Sequence, residues 1–144
     1  MEISNSGLEI SFDLQTISHE TGELTVLEPG KLGTFAIQRV YFLHSLKPEA
    51  LRGSHAHRNL EQLVVAMHGT VTLHLERLGK KAEIQLSSPE TAHYIPPMTW
   101  RDLSDFSGDA VCAVFASARY DESDYIRDYD EFSILSNRLR DANS

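Results

Sequence analysis

The sequence predicts an all-β domain, a sandwich or barrel of short strands with a brief helical segment at its C-terminus. Short runs rich in β-branched and aromatic residues recur along the chain. Turn signals built on Gly, Pro, Ser and Asp separate them, and only the tail carries apolar residues at helical spacing. No internal repeat or low-complexity stretch interrupts the pattern, so residues 1–144 read as one domain.

From Met1 to about Gly33 the chain is polar, with turn signals at Gly7, Gly22 and Pro29-Gly30; short apolar pieces such as Leu24-Thr25-Val26-Leu27 suit edge strands. Phe35 to Phe42 is strand-like, bounded by Gly33 and Pro48. Glu61–Met67 and Thr70–Glu76 follow. In the latter Val71, Leu73 and Leu75 alternate with Thr72, His74 and Glu76, the period of a strand with one face buried. A break at Gly79-Lys80-Lys81 leads to a strand at Ala82–Leu86, and Ser87-Ser88-Pro89-Glu90 turns the chain again. His93–Ile95 runs into Pro96-Pro97, and after the Gly108-Asp109 turn Ala110–Ala116 reads as a fully buried strand. Tyr125, Tyr129, Phe132 and Leu135 fall on one face of a helical tail.

A chain of 144 residues, 41% hydrophobic and 24% charged, is long enough for a real core and buries roughly 68–70% of its unfolded surface. Its longest apolar runs fall well short of the ~20 residues that cross a bilayer, and Met1-Glu2-Ile3 opens no basic, apolar leader. A cytoplasmic protein that engages no membrane is expected. The one cysteine, Cys112, can form no internal disulfide and rules out a cysteine-based zinc site. A net charge of −8 and a pI near 5.3 argue against nucleic-acid partners, which require clustered Lys and Arg. An anionic small molecule remains compatible, since one or two arginines in a cleft can hold a diphosphate. The acidic run from Asp121 to Glu131, with Arg127 as its only base, reads as a solvated face.

The most informative segment is Arg52-Gly53-Ser54-His55-Ala56-His57-Arg58-Asn59-Leu60-Glu61-Gln62. Histidines two residues apart on an extended chain share a face, and Glu61 keeps that parity if the strand is unbroken. Two imidazoles and a carboxylate could then meet at one point inside a barrel. The plain alternative is a pair of satisfied polar residues at a strand end. Gly53, which permits unusual backbone geometry, and the fixed charge of Arg52 weigh against it.

His55-x-His57-x-x-x-Glu61 followed by Gly69 resembles the first motif of the cupin superfamily, with the Glu-to-Gly gap one residue longer than usual. The second cupin motif, Pro-x-Gly-x-x-His, falls on Pro96-Pro97-Met98-Thr99-Trp100-Arg101. Met98 stands in place of Gly and Arg101 in place of the last His, a metal ligand in metal-binding cupins that a guanidinium cannot replace. A more specific resemblance covers nearly the whole chain. Arg39-Val40-Tyr41, the Arg52–Gln62 segment, Trp100, Asp105-Phe106-Ser107 and Tyr120 to Asp130 resemble the sugar 3,4-ketoisomerases of deoxysugar biosynthesis. The resemblance implies a cupin-type jelly-roll barrel, free of metal and cofactor. It further implies a homodimer that exchanges N-terminal strands (about residues 1–33), and a thymidine diphosphate-4-keto-6-deoxyglucose substrate.

The implied reaction needs no redox cofactor. Moving a ketone from carbon 4 to carbon 3 means removing the proton at carbon 3, acidified by the neighbouring carbonyl, and returning one to carbon 4 of the enediol. A neutral imidazole suits the first task, and a second can relay protons between the oxygens. The resemblance points to His55 as the base and His57 as the relay, with Tyr41, Arg52, Arg101, Thr21 and Glu61 binding substrate. Arg101 would face an enolate oxygen; its ordinary alternative is an ion pair with Asp102 or Asp105. Arg119 reads as a surface residue, Trp100 as packing, and His93 as a structural histidine with some reach toward the barrel mouth. Two other functions compete: a metal-dependent cupin oxygenase or isomerase using His55, His57 and Glu61, and a non-catalytic sugar-nucleotide-binding cupin. A nucleotide-sugar 3,5-epimerase works beside the same ketone, but the quoted blocks fit the ketoisomerases better. The gluco product, thymidine diphosphate-3-keto-6-deoxyglucose, is expected because Arg101 cannot serve as an acid at carbon 4.

Overall fold

The computed structural model describes residues 8–143; the turn expected at Gly7 lies outside them. Twelve strands form two five-stranded antiparallel sheets and one hairpin. The strands are β1 (Ser11–Asp13), β2 (Gln15–His19), β3 (Gly22–Val26), β4 (Arg39–Leu43), β5 (Arg52–His57), β6 (Gln62–His68), β7 (Val71–Arg77), β8 (Lys80–Leu86), β9 (Thr91–Ile95), β10 (Trp100–Ser104), β11 (Val111–Ala116) and β12 (Tyr125–Ile126). One sheet runs β1-β9-β6-β11-β4 and the other β12-β5-β10-β7-β8, while β2 and β3 pair only with each other. The sheets face one another without closing by hydrogen bonds, so the expected barrel is an open two-sheet jelly roll.

Period-two alternation decides what lies between the sheets. Val64 and Ala66 of β6, Val71, Leu73 and Leu75 of β7, Leu103 of β10 and Val114 of β11 form the inner core. The opposite face of the first sheet carries Leu63 and Val65, which Leu14 and Phe35 cover from the N-terminal segment. Phe35 is therefore buried outside the strand expected from 35 to 42, and β4 begins only at Arg39. The expected break at Gly79-Lys80-Lys81 is a two-residue turn at Leu78-Gly79, both at positive φ, the geometry that suits the twist of paired strands.

One helix, α1 (Tyr129–Ala142), covers part of the outer face of the second sheet, where Phe132 packs with Trp100, Ala56 and Ile126. It starts later than the tail's periodicity predicts. The Asp128 carboxylate accepts from the Asp130 amide and caps the helix there, while Tyr125 and Ile126 pair as β12 with His57 and Ala56. Among the described residues no helix is long and apolar enough to cross a membrane.

Candidate active site

Strand β5 aims the site, and a bulge in it does the aiming. In register with β10, Arg101 lies opposite His55, Asp102 opposite Gly53 and Leu103 opposite Arg52, so one residue more is fitted into β5 than into its partner. Gly53 at φ 91° and Ser54 at φ 55° take up the extra residue. A Cβ on Gly53 would come within 2.9 Å of the Arg101 carbonyl oxygen, so glycine is required both by backbone and by space. The bulge turns Arg52, His55 and His57 all inward; strict alternation would have put Arg52 outside.

The two imidazoles meet at right angles with ring centroids 4.8 Å apart, and Tyr125 of β12 lies 4.9 Å from His55 and 4.3 Å from His57. Both histidines spend Nδ1 on an anchor. His55 Nδ1 is 3.0 Å from the Gly53 carbonyl oxygen and donates to it. His57 Nδ1 is 3.1 Å from Asp124 Oδ2, a carboxylate that also accepts from the amides of Asn59 (2.8 Å) and Leu60 (3.3 Å). In each ring Nε2 is left buried with no hydrogen-bond partner. With Nδ1 carrying the proton, Nε2 holds an open lone pair, the state a general base needs.

Electrostatics keep the rings in that state. Burial first, then the Arg101 charge, lowers His55 to about 4, the Gly53 carbonyl pulling the other way. Burial, then Arg101, His55 and Arg39, lower His57 to about 2. Both are neutral at physiological pH.

His55 opens onto a cavity of about 320 Å³ floored by Val64, Ile95 and Val114 and walled by Tyr41, Arg52, Gln62, Arg101, Tyr125 and Arg127. His57, Asp124 and Arg119 line a smaller cavity of about 150 Å³ that shares Arg39 and Tyr125 with it. Arg101 is buried, donating through Nη1 to Gln62 Oε1 and through Nη2 to the Thr99 carbonyl (3.1 Å), while its Nε has no partner. It pairs with neither Asp102 nor Asp105; Asp102 accepts from Ser54 instead. Burial lowers Arg101 to about 10, which leaves it charged at neutral pH. Tyr41 Oη accepts from Gln62 Nε2 at 3.2 Å, and burial raises its phenol, so the hydroxyl keeps its proton. Arg127 stacks 4.2 Å over Tyr125 and holds Glu122 through two bonds of 2.7 and 2.9 Å.

Two expected residues are not brought to this cavity. The strand does not continue from His57 to Glu61: the chain bends at Arg58 and Asn59, β6 starts at Gln62, and the parity is lost. Gln62 consequently takes the inward place, while Glu61 accepts a 2.6 Å bond from the Tyr94 hydroxyl outside the cavity. Thr21 lies exposed in the β2–β3 turn, away from the cavity of its own chain. His93 is structural, 2.8 Å from the Leu8 carbonyl oxygen, and Trp100 packs on Phe132 and Tyr129. Arg119 is exposed at the rim of the smaller cavity. The residues that parity and composition missed are Arg39, Gln62, Asp124, Tyr125 and Arg127. Asp124 in particular comes from the acidic run expected to be a solvated face, although that run belongs to one of the blocks resembling the ketoisomerases.

A larger depression, about 810 Å³, lies on the outer face of the second sheet beside Trp100 and Tyr129. Its polar groups satisfy one another: Ser54 bonds Asp102, His74 bonds Ser104 and Tyr129 bonds Glu76. The unpartnered buried atoms found among the described residues, on Arg39, His55, His57 and Arg101, all belong to the inner site. That contrast makes the inner cavity the candidate site.

Two antiparallel sheets with an inward histidine pair on the strand after a glycine bulge define a cupin-like protein. Residues 8–137 match the family described as FdtA: WxcM-like, C-terminal, and the chain belongs to that family. It is 41% identical over 120 residues, 83% of this chain and 86% of the other, to the TDP-4-oxo-6-deoxy-alpha-D-glucose-3,4-oxoisomerase of Aneurinibacillus thermoaerophilus. Its fold is similar to QdtA, a sugar 3,4-ketoisomerase from Thermoanaerobacterium thermosaccharolyticum crystallised with TDP, at TM-score 0.87 and 32% identity over 90% of this chain and 95% of that one. It is likewise similar to the WlaRB TDP-quinovose 3,4-ketoisomerase of Campylobacter jejuni, at TM-score 0.81 and 38% identity over 85% and 95% of the two chains.

Proposed function

We propose that this chain is a thymidine diphosphate-sugar 3,4-ketoisomerase that converts TDP-4-keto-6-deoxyglucose to a TDP-3-keto-6-deoxyhexose, with His55 as the base at carbon 3 and His57 as the relay. The observation that carries the reading is the pair of bare, buried Nε2 atoms on neutral imidazoles at an arginine-walled cavity. An imidazole with its lone pair free can take the carbon 3 proton, and its neighbour can carry protons between the enediol oxygens. Arg101, fixed by Gln62 and Thr99, offers a charge-assisted donor to the enolate oxygen, and Tyr41 a neutral hydroxyl. Arg39, Arg52 and Arg127 supply cationic groups for the diphosphate. The expected product is the gluco one: the charged Arg101, on the His55 side, is no acid at carbon 4, and because the hydrogens on carbons 3 and 4 of the gluco sugar lie on opposite ring faces the proton is returned on the face away from His55.

The competing metal-dependent reading lacks its third ligand. Glu61 is committed to Tyr94, and the buried charge of Arg101 next to the histidines opposes a divalent cation. A purely binding function leaves the two orphaned lone pairs without a purpose. The reading includes a single domain over residues 1–144, working as a cytoplasmic homodimer. Exchange of the N-terminal strands (about 1–33) is supported by the β2–β3 hairpin, which pairs with no other strand among the described residues and leaves Ile17 43% and Leu24 54% exposed.

Proton NMR of the purified protein with TDP-4-keto-6-deoxyglucose tests the assignment. Appearance of the 3-keto sugar, with solvent deuterium incorporated at carbon 4, is expected. A substrate spectrum unchanged after prolonged incubation would refute it.

A further inference from the structure

We propose that Asp124 is a positioning residue for this site: by accepting from His57 Nδ1 it fixes the imidazole in the tautomer that leaves its buried Nε2 unprotonated. For its catalytic consequence the inference rests on the isomerase reading; for its structural content it does not.

The hydrogen-bond network itself determines the tautomer. Peptide N–H groups can only donate, and Asp124 receives one on each oxygen, Asn59 on Oδ1 at 2.8 Å and Leu60 on Oδ2 at 3.3 Å. Both oxygens are therefore acceptors, and His57 Nδ1, 3.1 Å from Oδ2, must be the donor. The Asp124 carbonyl also receives the Arg58 amide at 2.9 Å, so the carboxylate is tied to the His57–Leu60 turn through backbone and side chain alike. Its place comes from β12, which pairs Tyr125 with His57 in the next position of the chain. No other described group bonds the His57 ring, and Nε2 is buried without a partner. The charges around that ring are those of Arg101, Arg39 and Arg127, with His55 and Tyr125 in direct contact. Asp124 is the anion that sets the ring's proton among them.

Asparagine cannot reproduce this. With its oxygen kept on the short Asn59 bond, its NH₂ replaces Oδ2, gives up the longer 3.3 Å Leu60 bond and donates to Nδ1, which moves the ring proton to Nε2. The reverse orientation sets NH₂ against the Asn59 N–H at a 2.8 Å spacing, donor against donor. Asp124→Asn therefore turns His57 Nε2 from a proton acceptor into a donor. A reversed tautomer with intact geometry costs about 10²–10⁴-fold in turnover in comparable acid-base sites.

The experiment pairs long-range ¹⁵N–¹H correlation spectra of the His57 ring, assigned by difference from His57→Asn, with isomerase kinetics. In the wild-type chain Nδ1 should carry the proton and Nε2 should show the shift of a bare nitrogen. In Asp124→Asn the two should exchange, with kcat reduced at least a hundredfold and KM within about threefold. A wild-type ring protonated at Nε2 overturns the proposal, and does so even if the variant fails to fold. So does a variant whose tautomer is unchanged, or one with a reversed tautomer and wild-type kcat. If the wild-type chain does not act on TDP-4-keto-6-deoxyglucose, the isomerase reading fails, while the spectra still decide the role of Asp124.

Discussion

His55 and His57 sit on one strand, two residues apart, yet they are held by different parts of the molecule. His55 is anchored within its own strand, by the carbonyl of the glycine that forms the bulge. His57 is anchored across the fold, by a carboxylate far along the chain in the segment leading to α1. The first depends on local backbone geometry and the second on the docking of β12. His55 is also only partly buried, at the mouth of the larger cavity, whereas His57 is 1% exposed behind Tyr125. A substrate entering through that mouth reaches His55 first, which is the physical ground for giving the base to His55 and the relay to His57.

The largest expected effect tests that ordering directly. His55→Asn should lose isomerisation by at least about a hundredfold, while TDP affinity measured by calorimetry changes by less than about tenfold, since a proton-transfer group contributes to chemistry rather than to ground-state binding. His57→Asn should be impaired less completely. Retention of more than about a tenth of wild-type rate by His55→Asn, or a greater loss from His57→Asn, would reverse the two roles.

Disturbing the local anchor comes next. Gly53→Ala places a methyl group against the Arg101 carbonyl at a φ of 91°, which L-residues avoid. A destabilisation of about 1–3 kcal/mol is expected, read as a fall in Tm of roughly 2–4 °C per kcal/mol in a chain of this size. Activity should fall further than stability explains, because Arg52 and His55 lose their shared inward direction. A fully active Gly53→Ala chain would show that the bulge does not aim the site.

The same contrast explains what could be read from the sequence. The succession of short strands follows from alternation and turn residues, and the His-x-His spacing places both rings on one face. The bulge was signalled by Gly53, but not its consequence, that Arg52 joins the histidines. Glu61 was misplaced because parity was carried across Arg58–Leu60, where the chain bends to receive the Asp124 bonds. Asp124 and Tyr125 were legible only as part of a matching block: acidity and helical spacing both describe solvent-facing segments well, and neither registers a two-residue strand docking on β5. Local pattern finds elements; the contact between distant elements that completes the site has no local signature.

The two rings also predict how stability and activity respond to acid. Each histidine has a folded-state pKa far below the ordinary 6.5, His55 about 4 and His57 about 2, chiefly through burial. The unfolded chain therefore binds more protons than the native one between pH 6.5 and the folded values. Their contribution to stability is whole above pH 6.5 and declines as the pH falls toward 4 and below. Denaturant midpoints measured from pH 8 to 4.5 should drop through that window, and the His57→Asn chain should show a shallower slope. Meanwhile kcat/KM should stay level from pH 8 down to about 5, because the bases remain unprotonated. A loss of kcat/KM centred near 6.5 would mean that the rings titrate as exposed histidines do.

The smallest expected effect concerns product stereochemistry. Returning a proton to carbon 4 on one face of the enediol gives the gluco 3-ketosugar and on the other the galacto isomer. Burial lowers Arg101 to about 10, but it stays a cation at working pH and is a poor acid beside an imidazole. The hydrogens on carbons 3 and 4 of the gluco sugar lie on opposite faces, so the expected gluco product requires a proton delivered on the face away from His55, whereas return on the face it left gives galacto. Arg101 lies directly across from His55 in register, with Gln62 and Thr99 holding its guanidinium in place. Arg101→His puts a titratable ring there, shorter than the side chain it replaces, and frees Gln62 from its partner. Part of the product should shift toward the galacto isomer. In the strand-exchanged dimer proposed above, Thr21 would reach this balance from a neighbouring subunit, since its own hairpin holds it away from the cavity; a companion change at Thr21 should then enlarge the shift in the dimer and do nothing in a monomer. Borohydride reduction of the products, with the sugars identified by NMR, reads the ratio. A predominantly galacto product from the wild-type chain would show that the proton returns on the face from which His55 took it, and would leave the ketoisomerase assignment intact.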